Sequence, residues 1–109
     1  MVKQGSIIKI NFDPSIGSEQ AEYRPAVVVS NNFVLSKTNI ITICPITSKQ
    51  GKTALNVMLD SRNVTQGAVL CAHSKSVDIK KRPYTIVEQL PDDKLEEVTD
   101  TIISMIEPL

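Results

Sequence analysis

The chain contains no tryptophan, and its 109 residues hold only two tyrosines and two phenylalanines. An aromatic core is therefore excluded, and the interior must be built from Ile, Val and Leu. Stacking platforms for unpaired bases are equally scarce. A single histidine, His73, and two distant cysteines, Cys44 and Cys71, cannot assemble a zinc set at the usual ligand spacing. Both cysteines lie inside apolar runs, which favours buried thiols over a disulfide. No apolar run reaches the length of a membrane-spanning helix. Met1-Val2-Lys3-Gln4-Gly5-Ser6 lacks the apolar centre of a secretory signal, so a cytoplasmic location is expected.

What is present has the size of one domain, residues 1–109. The apolar fraction of 41% supports a modest core, and a second subunit is a plausible source of extra stability. The net charge of zero conceals a division. Residues 1–87 carry eleven Lys and Arg against five Asp and Glu, a balance of +6. Residues 88–109 carry Lys94 against seven acids, a balance of −6. A basic body favours a polyanion or an acidic partner, although a solvated acidic helix explains the other half.

Period two dominates the first two thirds. Ser6–Phe12 alternates apolar and polar residues, as in a half-buried strand. Further strands are expected over Pro25–Ser30, Ile40–Ile46, Leu55–Leu59 and Thr85–Leu90, with a broken one over Ala68–Cys71 and Ser74–Val77. Turn clusters separate them, including Ser30-Asn31-Asn32, Lys49-Gln50-Gly51 and Lys80-Lys81-Arg82-Pro83. This pattern predicts a mainly β fold, a small antiparallel barrel or sandwich. From Asp92 to Ile106 the period becomes helical, with Leu95, Val98, Ile102, Met105 and Ile106 on one face. Pro91 suits the start, and Asp92 and Asp93 suit the positive end of the helix dipole. Glu96, Glu97 and Asp100 should face water.

The segment Gly17-Ser18-Glu19-Gln20-Ala21-Glu22-Tyr23-Arg24-Pro25 is longer and more polar than a hairpin closure requires. Pro25 biases Arg24 towards extended backbone, which gives the guanidinium a fixed origin. A fixed Arg and a nearby hydroxyl suit a phosphate. Thr47, after the Ile40–Ile46 run, is such a hydroxyl, and Ser48 is another. Each has a simpler reading: Arg24 bridging Glu19 or Glu22, and Thr47 capping a turn.

The order of these motifs is familiar. A strand ending near Asp13-Pro14, then Gly17-Ser18-Glu19-Gln20, Arg24-Pro25 with a Val-rich strand, and Pro45-Ile46-Thr47-Ser48 resembles the MazF/PemK toxins. The likeness continues through Gly67-Ala68-Val69-Leu70-Cys71, the strand at Val77-Asp78 and the terminal helix, covering residues 4 to 106. The resemblance implies an SH3-like barrel of the CcdB/PemK type with a packed C-terminal helix. It implies a dimeric toxin of a type II toxin–antitoxin system, held inactive by an acidic, partly disordered antitoxin and meeting DNA only through it. The implied activity is sequence-selective, metal-independent cleavage of single-stranded mRNA to 2′,3′-cyclic phosphate and 5′-hydroxyl ends, without a cofactor.

On this resemblance Arg24 and Thr47 are the catalytic candidates. Glu19, Ser48 and His73 are possible support. Ser18, Gln20, Tyr23, Lys49, Ser74, Lys75, Lys80 and Lys81 are candidate RNA contacts, with Tyr23 the favoured stacking residue. The family's Gln-x-Arg-Thr/Ser-x-Asp pattern is written here as His73-Ser74-Lys75-Ser76-Val77-Asp78, so Lys75 offers a point charge in place of a guanidinium fork. The branch near the PemK/Kid toxins uses an Arg, an Asp and a His where this chain has Leu70, Ala72 and Ser18, so the Arg–Thr branch is the better match. A non-enzymatic inhibitor of a protein target such as DNA gyrase, like the CcdB poisons, is the alternative. A barrel that only binds RNA is a third.

Overall fold

The structure is a computed structural model and describes residues 1–11 and 23–109. Among these, seven strands and two helices follow in the order β1 (Ser6–Asn11), β2 (Tyr23–Val28), α1 (Asn32–Lys37), β3 (Ile40–Thr47), β4 (Asn56–Met58), β5 (Ala68–Leu70), β6 (Lys75–Asp78), β7 (Tyr84–Gln89) and α2 (Asp92–Ile106). A 3-10 turn, Cys71–His73, separates β5 from β6. The strands form one antiparallel sheet in the order β4-β5-β3-β2-β1-β7, and β6 also pairs with β3. The path does not return on itself, so the fold is barrel-like without a closed ring.

β3 is the hub because it is long enough to serve three partners. β2 lies on one side, through Ala26↔Pro45, Val27↔Cys44 and Val28↔Ile43. The other side is shared between β6, which pairs at Ile40 to Ile43, and β5, which pairs at Ile46 and Thr47. The 3-10 turn takes up the offset between these two registers. It also splits the sequence's single broken strand into two real ones.

Both faces of the sheet are apolar, because successive side chains alternate between them. On one face Ile7, Val27, Cys44, Ile46 and Val69 join Val98 in a buried cluster, with Leu95, Ile102 and Met105 packed against it. This is the α2 face. On the other, Ile8, Ile10, Ala26, Val28, Ile41, Ile43 and Val77 cluster, with Leu35 of α1 against them. This is the α1 face. The reading of β1 as half-buried is corrected accordingly. Only Lys9 of β1 is exposed, because both faces are covered at Ile7, Ile8 and Ile10.

α2 spans the expected residues and begins after Pro91. Its expected stripe loses one member, since Ile106 is 74% exposed in the last turn. α1 is a helix where a turn cluster was expected. The Asn31 side chain accepts a hydrogen bond from Val34 N–H at 2.9 Å and caps it, satisfying a donor the first turn leaves free. Cys44 and Cys71 are free and buried, as expected. Burial pushes the Cys44 thiol up to about 12, with Cys71 adding to the effect. Burial raises Cys71 as well. No helix among the described residues is long and apolar enough to cross a membrane.

The loop after β4 is tied down by Glu88 of β7. Its carboxylate accepts from Asn63 Nδ2 at 2.9 Å, Val64 N at 3.1 Å, Thr65 N at 2.8 Å and Thr65 Oγ1 at 2.7 Å. Arg62 reaches Asp60 and Asp93, each at 2.8 Å, joining the same loop to the first turn of α2. Partial burial works to raise the Glu88 carboxyl, but the four donors outweigh it and hold the group at about 2. A depressed carboxyl stabilises the fold above its unfolded value and loses that contribution as pH falls through the folded one. The fold should therefore weaken as pH drops from about 5 towards 2. Glu88→Gln should cost about 1–2 kcal/mol at neutral pH, allowing for solvent screening, and flatten this dependence. Urea titrations across that range check it, and an unchanged slope in Glu88→Gln would remove Glu88 as the cause.

Candidate functional site

The β2–β3 register decides which candidates meet. The hydrogen-bonded ladder ends at Ala26↔Pro45. Continued two residues past its last pair, the same register would bring Arg24 and Thr47 to corresponding positions. Alternation sends Arg24 to the face of Ala26 and Val28, and Thr47 to the face of Ile41 and Ile43, which is the α1 face for both. Arg24 is exposed and Thr47 half-buried. Arg24 therefore belongs to β2 and not to a loop, which holds its backbone more firmly than the sequence reading required. Pro25 has no N–H to extend the ladder towards β3. Beyond this point the upper part of β3 is paired on its other side with β5, through Thr47↔Ala68.

Thr47 Oγ1 accepts from Lys49 N–H at 3.2 Å. The turn-capping reading is therefore correct for one of its lone pairs, while the hydroxyl keeps its own proton to donate. Gly67 supports this corner from beneath. Its φ is +117°, and a Cβ there would overlap the Thr47 carbonyl. Only glycine combines that backbone with so close an approach.

The row through Arg24 extends across the sheet. Ile10 pairs with Arg24 on one side and with Tyr84 on the other, so Tyr84, 37% exposed, shares Arg24's face. Tyr23, the expected stacking residue, pairs with Asn11 and points to the opposite face. Adjacency in sequence places two strand residues on different sides of the sheet. Arg82 donates from Nη1 to the Asn11 carbonyl at 2.8 Å, which brings a second guanidinium to the end of the β1–β2 hairpin. The sequence offers Arg82 only as part of the basic Lys80-Lys81-Arg82 turn and Tyr84 only as one of four aromatics; the β1–β7 register and the Asn11 contact are what place them here.

The remaining candidates spread outwards. Ser48 and Lys49 are exposed just beyond Thr47. His73 is exposed at the end of the 3-10 turn, which packs against β3. Ser74 and Lys75 are exposed beside it. Lys75 pairs with Ile43, four residues along β3 from Thr47, roughly 13 Å at strand spacing. Lys80 and Lys81 occupy the turn before β7, where Asp78 accepts from both backbone amides. Ser18, Glu19 and Gln20 lie outside the described residues. Among the described residues, β1, β2 and β3 carry no acidic side chain. Among the described residues no three His, Cys, Asp or Glu side chains converge on a point.

A family model described as PemK-like, MazF-like toxin of type II toxin-antitoxin system matches residues 3–106. The chain belongs to this family. It is 30% identical over 102 residues to the endoribonuclease toxin MazF of Escherichia coli strain K12, covering 94% of this chain and 91% of that protein. It is 28% identical over 109 residues to the endoribonuclease PemK of Escherichia coli, covering 96% and 82%. Among solved structures, MazF from Deinococcus radiodurans superposes with a TM-score of 0.83 at 30% identity, covering 98% of this chain and 97% of that one. A MazE–MazF structure from the same organism gives 0.84 at 30% identity, covering 96% and 95%. The PemK/MazF fold expected from the sequence motifs is therefore the one the chain adopts.

The Gly67 contact yields a direct test. Gly67→Ala should lower stability by about 1–3 kcal/mol and displace Thr47, shifting the Ser48 and Lys49 amide resonances well beyond those of distant strands. Wild-type stability with unmoved Ser48 and Lys49 resonances would contradict the packing described.

Proposed function

We propose that this PemK/MazF-family chain is the endoribonuclease toxin of a type II toxin–antitoxin pair, acting on single-stranded RNA by internal transesterification. The observation that supports this reading is the β2–β3 register, whose continuation past Ala26↔Pro45 brings Arg24 and Thr47 to the same end and face of the sheet. The endoribonuclease names of the relatives support it.

The chemistry follows from these two groups. The 2′-oxygen of the substrate attacks the adjacent phosphorus while the bond from phosphorus to the 5′-oxygen breaks. A proton leaves the 2′-hydroxyl and one arrives on the departing 5′-oxygen. The products are a 2′,3′-cyclic phosphate and a 5′-hydroxyl, and no water is consumed. Negative charge grows on the non-bridging oxygens, where the Arg24 guanidinium offers two parallel donors. The Thr47 hydroxyl donates a further hydrogen bond to the same phosphate. Fixed donors of this kind contribute roughly a hundred- to a thousand-fold each. His73, exposed on the turn beside β3, and Glu19 are the candidates for proton transfer. Tyr84 and Arg82 extend the surface along the row, giving one stacking ring and one more phosphate contact.

The same reading includes metal independence, since the phosphate charge is met by Arg24 and the hydroxyl. It also includes a homodimer, a cytoplasmic location and control by an acidic antitoxin, in keeping with the MazE–MazF complexes among the structural relatives. A non-enzymatic inhibitor of a protein target has no need of an arginine and a hydroxyl facing each other at a strand end.

Arg24→Ala should cleave a defined single-stranded RNA at least about a hundredfold more slowly with its fold intact, because Arg24 is exposed. Arg24→Lys should fall between, keeping charge but losing the fork. Wild-type cleavage should persist in EDTA. A folded Arg24→Ala within about threefold of wild type, or activity lost in chelator and restored by a divalent cation, would overturn the mechanism.

A further inference from the structure

The path of the sheet ends at β4 and at β7, and among the described residues no ladder joins the two. A side chain joins them instead. The loop between β4 and β5 crosses to β7 and wraps the Glu88 carboxylate. Oε1 accepts from Asn63 Nδ2 at 2.9 Å and from Val64 N–H at 3.1 Å. Oε2 accepts from Thr65 N–H at 2.8 Å and from the Thr65 hydroxyl at 2.7 Å. Asn63 is buried, and its amide also donates to the Gln89 carbonyl at 3.1 Å. Each carboxylate oxygen thus meets one backbone amide and one side-chain donor, so one group fixes three successive residues. Bonds to an ionised acceptor are roughly twice as strong as neutral ones.

The segment so fixed runs directly into the candidate site. Two residues beyond Thr65 comes Gly67, whose carbonyl accepts from Leu59 N–H at 2.9 Å. The Gly67 α-carbon lies against the Thr47–Ser48 peptide: a Cβ on it would overlap the Thr47 carbonyl and stand 2.9 Å from Ser48 N. Ala68, the next residue, pairs with Thr47. Contact this close transmits displacement, because a packed interior has no slack to absorb it. Along the sheet Glu88 is three strands removed from Thr47, through β1 and β2. Through the loop it is removed by two residues and one backbone contact. We propose that Glu88 is a positioning residue for the Thr47 hydroxyl, acting through residues 63–67 and the Gly67 contact. Arg62, paired with Asp60 and Asp93, ties the start of the same loop to α2. Loss of the Glu88 bonds therefore loosens the half nearest Gly67. The consequence for catalysis rests on the endoribonuclease reading; the link from Glu88 to Ser48 and Lys49 does not.

The test uses the full-length chain and Glu88→Gln. Whichever carboxylate oxygen becomes the amide nitrogen, it faces a backbone N–H, so this near-isosteric change breaks the clamp without opening a cavity. The Ser48 and Lys49 amide resonances should move in Glu88→Gln, and by more than those of α1 at the other end of β3. On a defined single-stranded RNA, kcat should fall at least about tenfold with KM nearly unchanged, since a group misplaced by about 1 Å loses up to about a hundredfold. In a Thr47→Ala background Glu88→Gln should lower kcat no further, because no hydroxyl remains to be placed. Asn31→Ala removes the α1 cap and is the comparison for lost stability alone; its kcat should stay within about twofold of wild type. Rates are measured where every variant is folded. Thr65→Val removes only the hydroxyl bond to Glu88; it should move the same resonances by less, and it carries the test if Glu88→Gln does not fold. Unmoved Ser48 and Lys49 resonances, a Glu88→Gln loss that multiplies undiminished on Thr47→Ala, or an equal loss in Asn31→Ala would overturn the proposal. Moved resonances in a protein whose wild type cleaves no RNA would support the link and remove the endoribonuclease reading instead.

Discussion

The pairing of β2 with β3 is the constraint on which the rest depends. Three residue pairs, from Val28↔Ile43 to Ala26↔Pro45, set the register. A slip of one residue would turn the buried Val27 and Cys44 off the α2 face and send Arg24 to the other side of the sheet. Burial of those side chains therefore fixes which face Arg24 and Thr47 share. The ladder also has to stop. Pro25 supplies no N–H, and β3 takes β5 as its partner at Ile46 and Thr47. The two strands are bound together by their apolar residues and released from each other at their polar ends.

The remainder of the molecule holds β3 in place. α2 covers one face through Val98, Leu95, Ile102 and Met105, and α1 covers the other through Leu35. The approach of Gly67 to the Thr47 carbonyl fixes the end of the strand. The Glu88 and Arg62 contacts attach the loop before β5 to β7 and α2. A rigid β3 matters chemically because donors contribute to catalysis only when their position is set before charge develops. The open side of the sheet is the cost of this design. β6 and β7 are not joined, so the sheet stays open between them.

Elements with a clean period were legible in the sequence. α2 repeats its apolar residues at helical spacing and carries acids in its first turn, so its bounds were readable. The Val-rich and Ile-rich runs gave the central strands to within a few residues, and the polar motifs from Gly17 to Pro25 and from Pro45 to Ser48 gave the family. Features set by tertiary pairing were not legible. α1 is a six-residue helix held by one Asn31 cap and by Leu35 against the sheet, too short to display a period. The opposed faces of Tyr23 and Arg24, and the approach of Tyr84 and Arg82 to the site, follow from registers between strands far apart in sequence. A single sequence carries no direct signal of these.

The most direct measurement is a double-mutant cycle in RNA cleavage with Arg24→Ala, Thr47→Ala and the combined variant, each verified as folded. If both side chains act on one phosphate across the β2–β3 strand ends, they form a coupled pair, and the double variant should be little slower than the worse single one. Losses that multiply independently, or a Thr47→Ala variant as active as wild type, would contradict the claim that this register builds the active site.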